Sequence, residues 1–160
     1  MNESKLSYYD TRPWNGNGNH FLIRGFALHE KMPPVMIRHG EKRAYPWPWL
    51  FMSFTDSAFL RLETGERVPC GNTLMVWRPG QAHCYGNESA PWTHSWMIVD
   101  CPGLEELLHS RPIPLGRPEP IDASPIFEKY LPLLYGELTA GQKDEFYLKT
   151  VFQLFLYDLH

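Results

Sequence analysis

The sequence predicts a mainly β domain that ends in a few α-helices. It holds fifteen prolines, and aromatic residues make up 14% of its 160 residues, a composition typical of short strands joined by rigid turns. Between residues 21 and 101, strand-favouring runs alternate with turn signals at intervals of about ten residues, which is the pattern of a sandwich or a small barrel. Residues 102–160 carry helical periodicity instead.

Composition excludes several classes of function. The formal charge is −3, and the Lys and Arg residues are scattered without a basic stripe. Residues 1–160 are therefore not expected to bind nucleic acid. Three cysteines without CxxC spacing indicate reduced thiols, and we expect a cytoplasmic protein. The polar N-terminus is not a signal peptide and no apolar run is long enough to span a membrane, so no membrane partner is expected.

Residues 1–20 form a polar arm with interspersed aromatic residues, among them Tyr8, Tyr9 and Trp14. Termini usually fray, so one interpretation is a loosely ordered tail. The other is an arm whose aromatic residues lie over a pocket. Both stay open at this point.

The first strand candidates are separated by proline pairs and glycine turns such as Pro33-Pro34 and Thr64-Gly65-Glu66. They comprise Phe21–Leu28, Val35–Arg38, Leu50–Thr55, Ala58–Glu63 and Arg67–Cys70. Leu50–Thr55 is apolar at successive positions, which predicts burial on both faces of that strand. Asp56-Ser57 is expected to form the turn that follows it.

The stretch from Gly71 to Val99 concentrates polar and aromatic side chains on neighbouring strands. Thr73–Trp77 leads into an Arg-Pro-Gly turn, then His83-Cys84-Tyr85, a polar loop and Thr93–Val99. Strand periodicity puts His94, Trp96 and Ile98 on one face. The ring nitrogens of His94 and Trp96 need hydrogen-bond partners if they are buried, so both residues are candidates for a ligand site. The alternative is that His94 is a core histidine whose hydrogen bonds are made within the protein. His83 follows a turn and is expected to be more exposed.

The C-terminal residues predict a short helix over Leu104–His109, a proline-rich connector and two longer helices. The second helix should begin at Ser124-Pro125, kink at Pro132 and end a segment at Gly136. The last helix, Gln142–Leu159, carries an apolar stripe of Leu148, Val151, Phe152, Phe155 and Leu159.

Further apolar residues widen that stripe, namely Phe146, Leu154, Leu156 and Tyr157. Either the last helix packs deeply on its own domain, or it is also buried against a partner subunit. The chain stops at His160 directly on this helix, which is the pattern expected of a cut inside a longer protein.

Two motifs carry a resemblance to known families. The run GNTLMVWRPGQAHCYGN resembles the second cupin motif, with His83 and Asn87 at its histidine and asparagine positions. RPGQAHCYG followed by WTHSW resembles the N-terminal sensor domain of AraC/XylS-family transcription regulators. The resemblance implies a cupin-like barrel (jelly-roll, or double-stranded β-helix) over residues 21–101 and two or three dimerising helices over 102–160. DNA would be bound only by a domain beyond residue 160.

In that family the barrel holds a small effector, often a sugar. The resemblance implies that Tyr85 and His94 line the pocket, that Trp96 stacks on a sugar ring and that the arm before Phe21 closes over it. His83, and Trp14 in the arm, are further candidates for ligand binding. Asp56 stands near where the arabinose-binding member presents an arginine. A carboxylate can accept hydrogen bonds from vicinal hydroxyls, so the change argues against arabinose rather than against a sugar.

Metal catalysis is the competing interpretation, because many cupins bind iron, manganese or zinc. That site needs two histidines one residue apart, and residues 35–65 hold His39 alone. Cys84 should point away from His83 and Tyr85 and lacks a basic partner. We therefore expect no metal, no cofactor and no catalytic residue.

The sequence thus predicts the effector-sensing and dimerisation domain of an AraC-type regulator, not an enzyme. It would bind a small polar ligand such as a sugar and form a homodimer through its C-terminal helices. A stand-alone cupin enzyme of the isomerase or epimerase type, acting on a sugar or small carbonyl compound, is the main alternative. A cupin used only for assembly and an apolar effector also stay open.

Overall fold

A computed structural model describes residues 3–12, 20–40 and 48–160. Within these residues the chain forms nine strands followed by three helices. In chain order they are β1 (Leu6–Tyr9), β2 (Leu22–Met32), β3 (Val35–His39), β4 (Trp49–Phe54), β5 (Phe59–Arg61), β6 (Arg67–Pro69), β7 (Thr73–Trp77), β8 (His83–Asn87), β9 (Trp92–Asp100), α1 (Leu104–Ser110), α2 (Ser124–Leu138) and α3 (Glu145–Leu159). The mainly β class with C-terminal helices is confirmed.

The strands form two antiparallel sheets. The large sheet has the order β1-β2-β9-β4-β7 and the small sheet the order β3-β8-β5-β6. Within the described residues no hydrogen-bonded ladder joins an edge of one sheet to an edge of the other. The β part predicted as a sandwich or a cupin-like barrel is thus two antiparallel sheets that enclose a shared core and do not close into a barrel.

The large sheet is buried on both faces. Leu50 and Met52 of β4 belong to the core between the two sheets. Phe51, between them in sequence, packs with the helices on the opposite face, where its ring centroid lies 5.7 Å from that of Phe155. The chain is thus layered as small sheet, large sheet and helices. The continuous apolar run of β4 follows from its place in the middle layer.

The apolar stripe of α3 is buried against the large sheet and α2, as its periodicity predicts. Of the residues that widen the stripe, Leu156 is buried, whereas Phe146, Leu154 and Tyr157 are exposed. α2 begins after the cap residue Ala123 and continues past Pro132 to Leu138. The expected end at Gly136 is wrong, because buried Leu134 and Leu138 hold the last turns in the core.

Part of the N-terminal arm belongs to the large sheet. Residues of β1 pair with β2 in the register Leu6↔Leu28 to Tyr9↔Gly25. β2 itself runs past the expected end at Leu28 to Met32. Trp14 lies outside the described residues. In the described ranges no helix is long and apolar enough to cross a membrane.

Candidate functional site

A cavity of about 390 Å³ opens between the two sheets. It is bounded by the end of β1 and by β2, β3, β4, β8 and β9. Its polar and aromatic lining comprises Tyr9, Asp10, Arg12, Arg24, Glu30, His39, His83, Tyr85, His94 and Trp96, and its apolar lining comprises Gly25, Met32, Ile37, Leu50, Met52 and Ile98. Four residues expected at the site, His83, Tyr85, His94 and Trp96, are brought together here.

Glu30 joins the two side chains that the strand periodicity of β9 singles out. The indole Nε1–H of Trp96 donates to Oε2 of Glu30 over 2.7 Å, and Nε2 of His94 lies 2.9 Å from the same oxygen. Nδ1 of His94 lies 3.2 Å from the sulfur of Met52. The partner that buried His and Trp nitrogens require is therefore a carboxylate from the neighbouring strand.

Burial lowers the pKa of His94 below its ordinary value of 6.5, although Glu30 acts in the opposite direction. The imidazole side chain is 3% exposed, so the cost of desolvating a second charge outweighs the attraction of the carboxylate. A neutral ring with the proton on Nε2 satisfies the contact with Glu30. The site therefore presents a neutral imidazole and a carboxylate side by side.

Strand β8 contributes His83 and Tyr85. Burial raises the pKa of the Tyr85 hydroxyl, so the phenol stays protonated. His83 is buried, and the expectation that it would be exposed is wrong. Its ring centroid lies 4.9 Å from that of Trp77 and 5.0 Å from that of His39. His83 is buried although it follows a turn in the sequence, because the rings of Trp77 and His39 pack against it.

Cys84 alternates with His83 and Tyr85 along β8, as strand geometry requires. It is half-buried and lines a second cavity of about 580 Å³, together with Arg38 and Arg61. Tyr85 lines only the cavity between the sheets, so Cys84 and Tyr85 face different cavities. His39 and His83 line both cavities.

Asp56 lies outside the cavity between the sheets. It is exposed on the turn after β4, and its Oδ1 accepts a hydrogen bond from the backbone N–H of Thr93 over 2.9 Å. Asn87, the asparagine of the cupin-like motif, donates to the backbone oxygen of Ser57 over 2.7 Å. Both side chains hold turns at the ends of strands, and the structure does not bring them into the site.

Ion pairs line one side of the cavity. Nε of Arg24 lies 2.6 Å from Oδ2 of Asp100, and its guanidinium also lies 3.5 Å from a carboxylate oxygen of Asp10. Asp10 pairs in turn with Arg12 over 3.0 Å. The ring of Tyr9 stands 5.6 Å from the ring of Trp96. The described end of the arm therefore forms part of the cavity wall.

Sequence reasoning missed Glu30, which contacts His94 and Trp96, and Arg24, which lines the same cavity. The strand was expected to end at Leu28, which left Glu30 in a turn. A signal for Arg24 was present, because a lone arginine in an apolar strand run requires a carboxylate partner. Among the described residues no three His, Cys, Asp or Glu side chains are placed to hold a metal ion together.

No family model matches this chain, and no curated protein matches it. Among solved structures, the protein YhaK from Escherichia coli aligns at 18% identity with a TM-score of 0.41. The alignment covers 61% of this chain and 45% of YhaK, so the chain spans less than half of that protein's length. A likeness at this TM-score supports no conclusion about fold or function.

Proposed function

We propose that this chain is the effector-sensing and dimerisation part of a transcription regulator similar to the AraC/XylS family. It binds a small polar ligand, such as a sugar, within a cupin-like fold. The observation that carries the proposal is the cavity between the sheets, because the stretch that resembles the family supplies Tyr85, His94 and Trp96 to its wall.

The cavity has the character of a small-molecule site. Its volume of about 390 Å³ falls within the range of ligand pockets. A mostly apolar wall with a few convergent polar groups is what such sites use to fix orientation. Trp96 offers an aromatic surface, while Glu30 and the histidines offer hydrogen-bonding atoms. A sugar ring presents the same combination of an apolar face and hydroxyl edges.

The proposed homodimer forms through α3. Phe146, Leu154 and Tyr157 lie exposed on the side opposite the buried stripe, with exposed fractions of 79%, 49% and 63%. Large apolar side chains clustered on one helix face are typical of interaction surfaces. DNA binding belongs to a domain beyond residue 160, and the regulator acts in the cytoplasm.

Regulation requires that the ligand favour one of two states of the protein. A ligand shifts such an equilibrium only by its difference in affinity for the two states. The arm and the helices are the proposed elements that differ between these states. Tyr9 supports this role for the arm, because it lines the cavity and contacts Trp96.

Thermal unfolding in the presence of monosaccharides and disaccharides tests the proposal. A sugar that binds should raise the Tm of the wild-type chain, because binding to the folded state alone stabilises it. Trp96→Phe and His94→Asn should reduce that rise, whereas Asp56→Asn, outside the cavity, should keep it. Equal rises in all four proteins would place binding elsewhere, and no rise with any sugar would remove the sugar claim.

One observation favours the alternative of a cupin enzyme. Buried, neutral His94 and partly buried Glu30 form an acid–base pair, which is the kind of group that isomerases and epimerases use to move a proton. Incubation of the chain with sugars in D₂O separates the two functions. An enzyme of this type exchanges a carbon-bound proton for deuterium, visible by proton NMR, whereas a sensor leaves every carbon-bound proton in place.

A further inference from the structure

The outer face of the small sheet brings together arginines that lie far apart in the sequence. Arg38 of β3 lies opposite Cys84 of β8, and Arg61 of β5 lies opposite Arg67 of β6. The register of β5 with β8 places Arg61 on the other side of Cys84. Leu60, the residue before Arg61, points into the core, so these alternate residues face outward. Four neighbouring strands therefore present Arg, Cys, Arg and Arg in one row.

The second cavity, of about 580 Å³, lies over part of this row, with Arg38, Arg61 and Cys84 in its wall. Arg38 and Arg61 stand on either side of Cys84, about 10 Å apart across two strand spacings. The Cys84 side chain is short, so it leaves the space between the two longer side chains open. Both guanidinium groups can therefore reach one group bound over Cys84.

The two arginines of this wall have donors to spare. Arg38 is exposed and forms no ion pair with the described residues. Glu88 lies 3.2 Å from Nη2 of Arg67 but 3.9 Å from Nη2 of Arg61, so its carboxylate is closer to Arg67. Nε of Arg61 is buried and has no hydrogen-bond partner in the described part of the chain. A buried donor without a partner is costly, and a ligand that accepts its hydrogen bond removes that cost.

A phosphate group matches two converging guanidinium groups better than a carboxylate does. One guanidinium satisfies both oxygens of a carboxylate in a forked pair. A phosphate monoester presents three oxygens and nearly two charges, so it can bridge two arginines. Glu63 also lines this cavity and is exposed, and Glu88 lies near Arg61. These carboxylates and the net charge of −3 oppose a polyanion such as nucleic acid and favour a single phosphate group.

We propose that this cavity binds the phosphate group of a small phosphate monoester, held between Arg38 and Arg61. Its volume of about 580 Å³ leaves room for the organic part of such a compound. Among the described residues, this cavity and the cavity between the sheets share only His39 and His83. The inference therefore goes beyond the proposed function and does not depend on it.

Titration calorimetry with glycerol 3-phosphate, glycerate and glycerol at constant ionic strength tests the site. Glycerol 3-phosphate should bind the wild type more tightly than glycerate, and glycerol should not bind. Arg38→Gln and Arg61→Gln should each weaken binding of glycerol 3-phosphate by at least about tenfold, the effect of losing a charged hydrogen bond. Arg117→Gln makes the same charge change at an exposed arginine outside the cavity and should bind as the wild type does.

Glu63→Gln supplies a change in the opposite direction. Removing a like charge from the wall should tighten binding of glycerol 3-phosphate by about two- to fivefold, the size expected for exposed charge pairs. Damage to the fold would not produce this gain. Weaker binding by Glu63→Gln would contradict a phosphate group at this wall.

Cys84 gives a readout that does not depend on calorimetry. Glycerol 3-phosphate should slow the alkylation of Cys84 by N-ethylmaleimide, measured by peptide mass spectrometry. Cys101, which is half-buried in the wall of another cavity, should react at an unchanged rate. Equal affinity of the wild type, Arg38→Gln and Arg61→Gln would overturn the proposal. Glycerate that binds as tightly as glycerol 3-phosphate, or a wild type that binds neither glycerol 3-phosphate nor inorganic phosphate, would do the same.

Discussion

His94 is a buried imidazole whose proton affinity is set by two opposing influences. Burial lowers its pKa below 6.5, and Glu30 raises it, with burial the larger of the two. The unfolded chain therefore binds a proton at His94 in mildly acid solution more readily than the folded chain does. The neutral ring stabilises the fold fully above pH 6.5, and this stabilisation is lost as the pH falls below that value.

We predict that His94→Gln weakens the pH dependence of the free energy of unfolding. Urea unfolding of the wild type should show a fall in stability between about pH 6.5 and 5.5, to which His94 contributes at most about 1.4 kcal/mol per pH unit. The variant should lack this contribution, although it is less stable at pH 7.5. Equal slopes in the two proteins over that interval would contradict a lowered pKa at His94.

The residues of the site differ in how far the sequence could predict them. His94 and Trp96 could be identified because strand periodicity fixes their common face, and both line the cavity. Glu30 could not, because its direction depends on a bulge that shifts the register by one residue. The pattern of apolar residues in β2 gives no sign of this one-residue shift in register. Asp56 was placed by resemblance, and the turn after β4 holds it outside the cavity.

At the scale of elements, the bulge in β2 depends on which residue occupies position 29. We predict that His29→Val lowers the free energy of unfolding by at least about 1 kcal/mol, because a β-branched residue strongly disfavours a left-handed φ. His29→Gly should cost less, since glycine adopts that conformation without strain. Glu128→Gln isolates the half-exposed hydrogen bond between His29 and Glu128 of α2, which contributes about 0.5–1.5 kcal/mol. Urea unfolding of the three variants gives these values, and a His29→Gly loss as large as that of His29→Val would argue against strain at this position.

Helix α3 has one face in the core and one in solvent, which allows a matched comparison within one element. Phe155→Ala should lower the free energy of unfolding by about 3–5 kcal/mol, because Phe155 is fully buried among other aromatic rings. Phe146→Ala, at a residue that is 79% exposed, should change it by no more than about 0.5 kcal/mol when both proteins are measured at a concentration low enough to keep the chain monomeric. Chemical denaturation of both variants measures the difference. Similar losses of unfolding free energy in the two variants would contradict the assignment of Phe155 to the buried face and Phe146 to the exposed face of α3.

Elements with their own periodic signal are predictable from the sequence, and those that depend on a partner are not. The stripe of α3 and the doubly apolar strand β4 both follow from local pattern. β1 is short and alternates between half-buried and exposed residues, so it is stabilised mainly by pairing with β2. Within the N-terminal arm, Leu6–Tyr9 form a strand because the edge of β2 is open to pairing.

At the scale of the whole molecule, the large sheet separates two environments. One face lines the cavity between the sheets, and the other packs against α2 and α3. The same strands therefore contact both the proposed ligand and the proposed dimerisation helices.

The exposed face of α3 leads to the prediction that the chain self-associates in solution. Sedimentation equilibrium of the wild type should give a dimer, because Phe146, Leu154 and Tyr157 would otherwise leave three large apolar side chains of one helix face in water. Phe146→Lys combined with Leu154→Lys should give a monomer, since two buried charges would oppose association. Thr64→Lys, in an exposed turn of the small sheet, should remain dimeric.

All three proteins should have the same folded circular dichroism spectrum, because the substituted residues contribute little to the core. A wild type that sediments as a monomer at every concentration would remove α3 as the dimer interface, whereas a double variant that stays dimeric would place the interface on another face of the molecule.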